Sequence, residues 1–546
     1  MHSQTISSRL ISFAHLYSLF IAILFFSILS LFQLYFMLNA THLLATILPV
    51  ALLISFGLTN VLIKMPDKAK PWLIILVIFL LSGIYSFLLF DKAGDGRWYH
   101  QETIILIKSG WNPLLSSSFK QILLTDQFIQ SRTFPIASEL LAASFDCTFG
   151  HIQIGKIINI LFAIYCLSIA FIAIDKLFKL DIKYSLLISG YIALNPIVMS
   201  QLQSFYLDGN LFCCFTILLF SILAWLYTSE NKYFWLINII VSFTILANLK
   251  MTGLVFGIAI ILVATSIYIY VNKKFPKFYF NLILYLIPST VFLGWHPYIQ
   301  NLIYGRNIFW PILGANALSN FNEISQYARL PRLLLYILAY GTPYPMEISN
   351  LFVPALKPFV RTDTIIGALG PFFSLMLILG IYYSIKYFCK SFGQIRNSLI
   401  MQTLASMAII VVITLAINPA SWWAKYSPQI ILLPAIGFII LCLNKTRWWN
   451  RYYLVIVGMI TINSGLFFGG SLILTAYRSY KLYAMESFCR TNQCQFEINH
   501  TLFNFSFKNQ LQEDKIPLNI ITNCTNKKII WTDVQIPNAR PNRVCI

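Results

Sequence analysis

Charge is what this sequence has least of. Of its 546 residues only 11% are Asp, Glu, Lys or Arg, where an ordinary soluble domain carries about 25%. Apolar residues make up 58%, and a mean hydropathy of +0.72 excludes a water-soluble globular chain and makes lipid the main solvent. Acids are scarcest, 19 Asp and Glu against 39 Lys and Arg, for a formal net charge of +20. None lies in the middle of an apolar run, which counts against an ion-coupled transporter, whose coupling groups sit near the bilayer midplane. No Cys or His spacing suits a metal site, and no basic run is long enough to argue for nucleic acid.

What the chain does have is long apolar runs. Taking about 20 residues as the length of a spanning helix, thirteen candidates lie near 10–38, 43–63, 71–90, 152–174, 185–199, 210–228, 233–248, 253–271, 278–295, 367–387, 399–417, 429–443 and 452–476. The first run is too long for a signal-peptide core and no cleavage site follows it, so it is expected to stay as a helix. With the N-terminus in the cytoplasm, the inner loops and span ends hold sixteen Lys and Arg, while the short outer loops hold only Lys250 and Lys425. That asymmetry sets the orientation, and an odd span count puts the C-terminus outside. The expected fold is an all-α polytopic membrane protein with about 13 spans. Residues 1–476 form the membrane domain, and 477–546 a small extracytoplasmic tail.

Of ten cysteines, Cys489, Cys494, Cys524 and Cys545 fall in that tail. An even set in a segment expected outside suggests two disulfides. Two further outer segments are long, 91–151 and 296–366, and they hold most of the acids. The first is expected to carry surface helices near 96–109 and 135–146.

These segments hold the candidate site. The run Asp91-Lys-Ala-Gly-Asp95-Gly-Arg97-Trp98-Tyr99-His100 directly follows the third span. Asp95 is placed to take a proton from a hydroxyl at the membrane surface, and it equally suits the N-cap of a helix starting at Gly96. Glu139 follows Phe134-Pro135 near a helix start, where the macrodipole alone would favour it. Asp208, after Gln201, Gln203 and Tyr206, is either a second functional acid or another cap. Lys250 breaks the positive-inside pattern and suits either a lipid phosphate or an ion pair. The stretch from His296 to Pro311, with Tyr298, Asn301 and Arg306, and the stretch Trp422-Trp423-Ala-Lys425-Tyr426 add rings and cations at span ends. Most such rings form an interfacial belt, but some are suited to stack on a sugar.

In their order, Asp95-Gly-x-x-Tyr99-His100, Gly110-Trp111-Asn112-Pro113, Asn195-Pro196, Tyr206-x-Asp208-Gly209, Asn248-x-Lys250, Tyr298-x-x-Asn301 and Trp422-Trp423-Ala-Lys425-Tyr426 resemble bacterial polytopic glycosyltransferases of the GT-C superfamily. Protein O-mannosyltransferases and lipid A aminoarabinose transferases are relatives. The match runs from about residue 71 to 443 and leaves the tail uncovered. The resemblance implies a polyprenyl-phosphate sugar donor and a site facing outward from the bacterial inner membrane. It implies Asp95 as general base, Asp208 as a second acid that helps to bind substrate, and Lys250 near the donor phosphate. Glu139 is similar in position to an acid in the second surface helix of the aminoarabinose transferases. There are two departures. Lys425 stands where the family pattern has Arg, and Asp95 is followed by Gly96 rather than by a second acid.

The expected reaction is transfer of the sugar, with inversion, to a glycan, lipid or protein acceptor. Whether a divalent metal assists is left open by the residues. Two rivals remain at this point. An O-antigen ligase or polymerase would use Arg and His of the outer loops, here Arg97, His100, His296 and Arg306. A lipid-linked-sugar flippase would not need the two long outer loops.

Overall fold

In lipid every backbone N–H and C=O must find its partner within the segment, so apolar runs fold as helices. The computed structural model of the chain describes residues 6–64, 69–91, 93–115, 133–275, 278–314, 331–343, 346–350, 353–356, 367, 369–391, 398–418, 420–444, 447–492, 494–497, 510–517, 520–521, 529–533 and 542–545. Its helices are α1 (Ile6–Met37), α2 (Ile47–Leu62), α3 (Ala69–Leu88), α4 (Gln101–Lys108), α5 (Ala137–Phe149) and α6 (Ile157–Phe178). There follow α7 (Ile182–Ala193), α8 (Pro196–Gln201), α9 (Asp208–Tyr227), α10 (Lys232–Leu249), α11 (Met251–Asn272), α12 (Phe278–Leu293) and α13 (Gln300–Ile303). The last are α14 (Arg332–Gly341), α15 (Phe373–Ser391), α16 (Leu399–Ile417), α17 (Leu432–Leu443) and α18 (Arg447–Thr491).

The chain is a helical, multi-pass membrane protein, as its composition demands. Among the described residues each of the thirteen apolar runs contains helix, but the count of spans is lower than expected. Among the described residues nine helices are long and apolar enough to cross a membrane, and a tenth if a bent pair counts as one. The differences fall on four runs. Helix α7 has 12 residues and rises about 18 Å, well short of a hydrocarbon core of about 30 Å. Asn195 stops it by capping α8 instead. The segment Pro428–Leu443 is short as well. Helix α12 turns by 83° into Trp295–Ile303, and α15, with Lys386 and Lys390 near its end, is less apolar than the nine.

Helix α9 is the axis of the bundle. Nearly all its residues are buried, and it packs on α6 and α10, with α1 behind them. Helices α15 and α17 cross closely enough that a Cβ on Gly380 or Gly437 would meet the partner backbone, the small-residue packing that lipid favours.

The segment 91–151, which the sequence expects outside, contains the two expected helices, but they do not lie open at a surface. Residues 101–107 of α4 and 137–146 of α5 are buried, packed on each other, on α1 and on the turn at 152–156. The boundary expected at 476 falls inside α18, which runs unbroken for 45 residues. Its end and the tail close over the first outer segment. Phe90 shares a buried cluster with Leu482, Met485, Cys489, Cys494, Phe496, Leu511 and Ile516, and Lys108 bridges Asp146 and Glu513 at 2.8 Å each. Strands occur only outside the spans among the described residues. One antiparallel pair is β1 (Met346–Asn350) and β2 (Val353–Leu356). The tail holds β3 (Gln495–Glu497), β4 (Ile520–Ile521), β5 (Ile529–Asp533) and β6 (Asn542–Cys545), in the order β4-β3-β6-β5. One of the two expected disulfides is present, Cys489–Cys494; Cys524 and the side chain of Cys545 lie outside the described residues.

Candidate functional site

The segment after α3 is fixed by Asp91 before it presents Asp95. The Asp91 carboxylate is buried and accepts from the backbone N–H of Ala93 (2.7 Å) and of Phe205 (2.8 Å), and from Gln101 Nε2 (3.3 Å). Gly96 is required here, because a Cβ would strike a carboxylate oxygen of Asp91. Asp95 then opens the wide, i→i+5 bonded helical turn Gly96–His100, itself in ordinary helical geometry, and its side chain makes no capping hydrogen bond. It points to Lys425, whose Nζ donates to Oδ2 at 2.7 Å. The capping explanation for Asp95 therefore fails.

Asp208 is reached through a segment with little freedom. Asn195 caps α8 by accepting from Ile197 and Val198 N–H groups, with Pro196 in the first turn, as helices prefer. Asn159 Nδ2 donates to the carbonyls of Gln201 (3.1 Å) and Ser204 (2.6 Å). Gln201 Oε1 accepts from Gly209 N–H at 2.7 Å, and Gln203 Nε2 donates to the Tyr85 hydroxyl at 2.6 Å. Both glutamines are spent on scaffolding. Asp208 is the first residue of α9, while Leu207 takes the cap position without a side-chain bond. The Asp208 carboxylate accepts from Lys250 Nζ at 2.9 Å. Lys250 itself sits in an extended break (φ −157°, ψ 146°) between α10 and α11.

The third piece is the loop after α16. Asn418 holds it, donating to the Tyr426 carbonyl at 2.7 Å and accepting from Ala420 N–H at 3.0 Å. Tyr340 of α14 donates to the Ser421 carbonyl at 2.7 Å. Trp422 and Trp423 stack with centroids 6.1 Å apart and pack with Leu335. Lys425 Nζ lies over the rings of Tyr206 (4.8 Å), Tyr426 (5.6 Å) and Trp423 (5.8 Å). Lys250 Nζ lies over the same Tyr426 ring at 4.6 Å. Two ion pairs thus share one aromatic ring, and their parts come from four separate stretches of chain.

The field inside this cluster is strong. Burial pushes the Asp95 carboxyl up, but the charge and hydrogen bond of Lys425, with His100 and Lys250 behind them, hold it below the usual aspartate value. Burial acts against the Lys425 charge, and Asp95, aided by Tyr206, Tyr426 and Asp208, more than reverses that, so its pKa is raised. The Tyr99 hydroxyl is pushed up by burial first and then by Asp95.

Beside this cluster, the Tyr99 ring lies tilted against that of His100, with centroids 4.0 Å apart. His100 Nδ1 meets Glu139 Oε1. Glu139 lies in the first turn of α5, and its Oε2 is buried with no hydrogen-bond partner among the described residues.

Three expected residues stand apart. The Tyr298 hydroxyl donates to the Ala247 carbonyl at 2.5 Å, bracing the end of α10 just before Lys250. Asn301 Nδ2 donates to the Trp310 carbonyl at 2.8 Å and ties its own turn. Arg306 stacks on Trp310, 4.1 Å from the centroid, and is exposed. The residues that the sequence did not mark as site residues are Tyr206 and Tyr426, both inside quoted motifs, and Asp91. Among the described residues no three His, Cys, Asp or Glu side chains group as metal ligands. Each carboxylate of the cluster instead meets an ammonium group. The chain matches no family model, and no curated protein matches it.

Proposed function

We propose that the chain is a GT-C-like membrane glycosyltransferase that moves a sugar from a polyprenyl-phosphate donor to an extracytoplasmic hydroxyl acceptor with inversion. The observation that carries this reading is the meeting of Asp95, Asp208, Lys250 and Lys425 around Tyr426. All four sit at span ends, following α3, α10 and α16 or opening α9, on the face that the lysine asymmetry assigns to the outside. Charged groups gathered at helix ends suit chemistry at the membrane surface better than ion-coupled transport across the midplane.

In this mechanism the acceptor oxygen attacks the anomeric carbon as Asp95 takes its proton. The bond from that carbon to the phosphate oxygen breaks, and the lipid phosphate leaves with its charge held by Lys250 and Lys425. Phosphate is a good leaving group, so no general acid is needed. Asp208 fixes Lys250, and Glu139 holds His100 and Tyr99 next to the base. The donor, the acceptor glycan, lipid or protein, and the surrounding membrane lipid are the partners this reading assigns.

Asp95→Asn keeps the shape and removes the base. In proteoliposomes with a lipid-phosphate sugar donor it is expected to lower transfer by about 10²–10⁴-fold. A folded, inserted variant that transfers sugar at the wild-type rate refutes the assignment.

A further inference from the structure

The two ion pairs are built in opposite senses. In the Lys250–Asp208 pair the carboxylate is buried, with 2% of its side chain exposed, and the ammonium side chain is open at 27%. In the Lys425–Asp95 pair the ammonium side chain is covered at 8%, and the carboxylate is open at 32%. A phosphate can reach Lys250 without disturbing its partner, but it can reach Lys425 only by displacing Asp95.

We propose that Asp95 is a lid on a lipid-phosphate seat: the donor phosphate lands on Lys250, displaces Asp95 from Lys425, and thereby frees the carboxylate to act as base. The inference rests on the glycosyltransferase reading and adds an order to it, donor before acceptor.

Three physical points support the exchange. A carboxylate bonded to an ammonium at 2.7 Å is a poor base, because the cation stabilises the form without the proton. Once the phosphate takes the cation, the same half-buried carboxylate has lost its counter-charge, and its affinity for a proton rises. Second, Lys425 is a point charge on a flexible stem rather than a rigid fork, so changing partners costs it no bidentate geometry. Third, the rings of Tyr206, Trp423 and Tyr426 around its Nζ favour the cation without binding it in one direction, so they hold it through the exchange. Tyr426, lying also under Lys250, spans both halves of the seat.

The test is binding of farnesyl phosphate to the purified full-length chain in detergent, with inorganic phosphate and farnesol as comparisons. The proteins are wild type, Asp95→Asn, Lys425→Gln and the double variant. Asp95→Asn is expected to bind farnesyl phosphate about tenfold more tightly than wild type, since no pair must open. Lys425→Gln is expected to bind more weakly, and the double variant no more tightly than Lys425→Gln alone. Inorganic phosphate should follow the same order more weakly, and farnesol, without a phosphate, should show none of it. Unchanged binding by Asp95→Asn overturns the lid while leaving the glycosyltransferase reading intact. A gain that persists in the double variant also overturns it, because plain repulsion by the carboxylate then explains the effect. Farnesyl phosphate binding to none of the proteins removes the lipid-phosphate reading itself. Asp95→Ser repeats the measurement with a smaller side chain, so that poor folding of one variant does not decide the outcome.

Discussion

The Asp91 carboxylate accepts the backbone N–H of Phe205 at 2.8 Å across 114 residues of chain. This bond sets the loop that carries Asp95 against the segment that carries Tyr206 and Asp208, so the geometry of the site depends on an acid outside the two ion pairs. Asp91→Ala removes that bond together with those from Ala93 and Gln101, and it strips buried Lys156 of its nearby anion. A loss of roughly 2–4 kcal/mol of stability is expected, read as a lower melting temperature in detergent, with transfer reduced by a fall in kcat. An unchanged melting temperature would mean that the loop is set by something else.

The Lys250 side chain is partly exposed, at 27%, while that of Asp208 is buried, at 2%. Removal of Lys250 should therefore act on donor binding more than on proton transfer. Lys250→Gln is expected to raise the donor KM by about tenfold, the equivalent of about 1.4 kcal/mol, with a smaller effect on kcat. Lys250→Arg, which keeps the charge, should restore most of the loss. A variant whose kcat falls while KM stays constant would place Lys250 in the chemical step instead.

The four charged residues of the site were legible because charge is so rare in this chain that each one at a span end asks for a reason. Pairing was not legible: Asp95 and Lys425 lie 330 residues apart, and nothing local says which cation meets which acid. Nor does sequence separate polar groups that face a cavity from those that hold backbone. Gln201 and Gln203 look like ligand groups and are scaffold, while Tyr298 and Asn301 spend their polar atoms on carbonyls. Against thirteen apolar runs, nine helices among the described residues, or ten with the bent pair, are long and apolar enough to span, because apolarity marks any helix with lipid or core on all sides, however short. Helix α18 hid its length for the converse reason. Past 476 it turns polar, yet it stays helical by packing on Phe90 and the end of α3.

Asp146 makes stability depend on pH. Burial raises its pKa to about 6, with Lys108 acting against the rise and Glu513 adding to it. Between the unfolded value of 3.8 and about 6, the folded chain holds a proton that the unfolded chain has released, so stability falls as pH rises through that window. The size is roughly 2–3 kcal/mol. Asp146→Asn carries no such proton, so its melting temperature relative to wild type should climb between pH 4 and pH 7. Parallel curves for the two proteins over this range would show that Asp146 titrates normally.

The Cys489–Cys494 disulfide closes the end of α18 over five positions, and both cysteines are buried against Phe90, the residue before Asp91. Phe90 N–H also donates to Ser479 of the same helix at 2.8 Å, so the tail braces the loop that presents Asp95. Closing so short a loop contributes about 2 kcal/mol, felt mostly where the tail meets this loop. In a variant retaining only these two cysteines, maleimide added to intact cells is expected to leave both unlabelled until a reductant is added. The bond would then have formed in an oxidising compartment, which the outward orientation requires. Reduction should lower both the melting temperature and the transfer rate, whereas reduction of a chain with both cysteines replaced by serine should change neither. Thiols that a membrane-impermeant maleimide reaches only after the cells are opened, with no need of reductant, would place the tail in the cytoplasm and reverse the orientation inferred from the lysines, carrying the site to the wrong face for an extracytoplasmic acceptor.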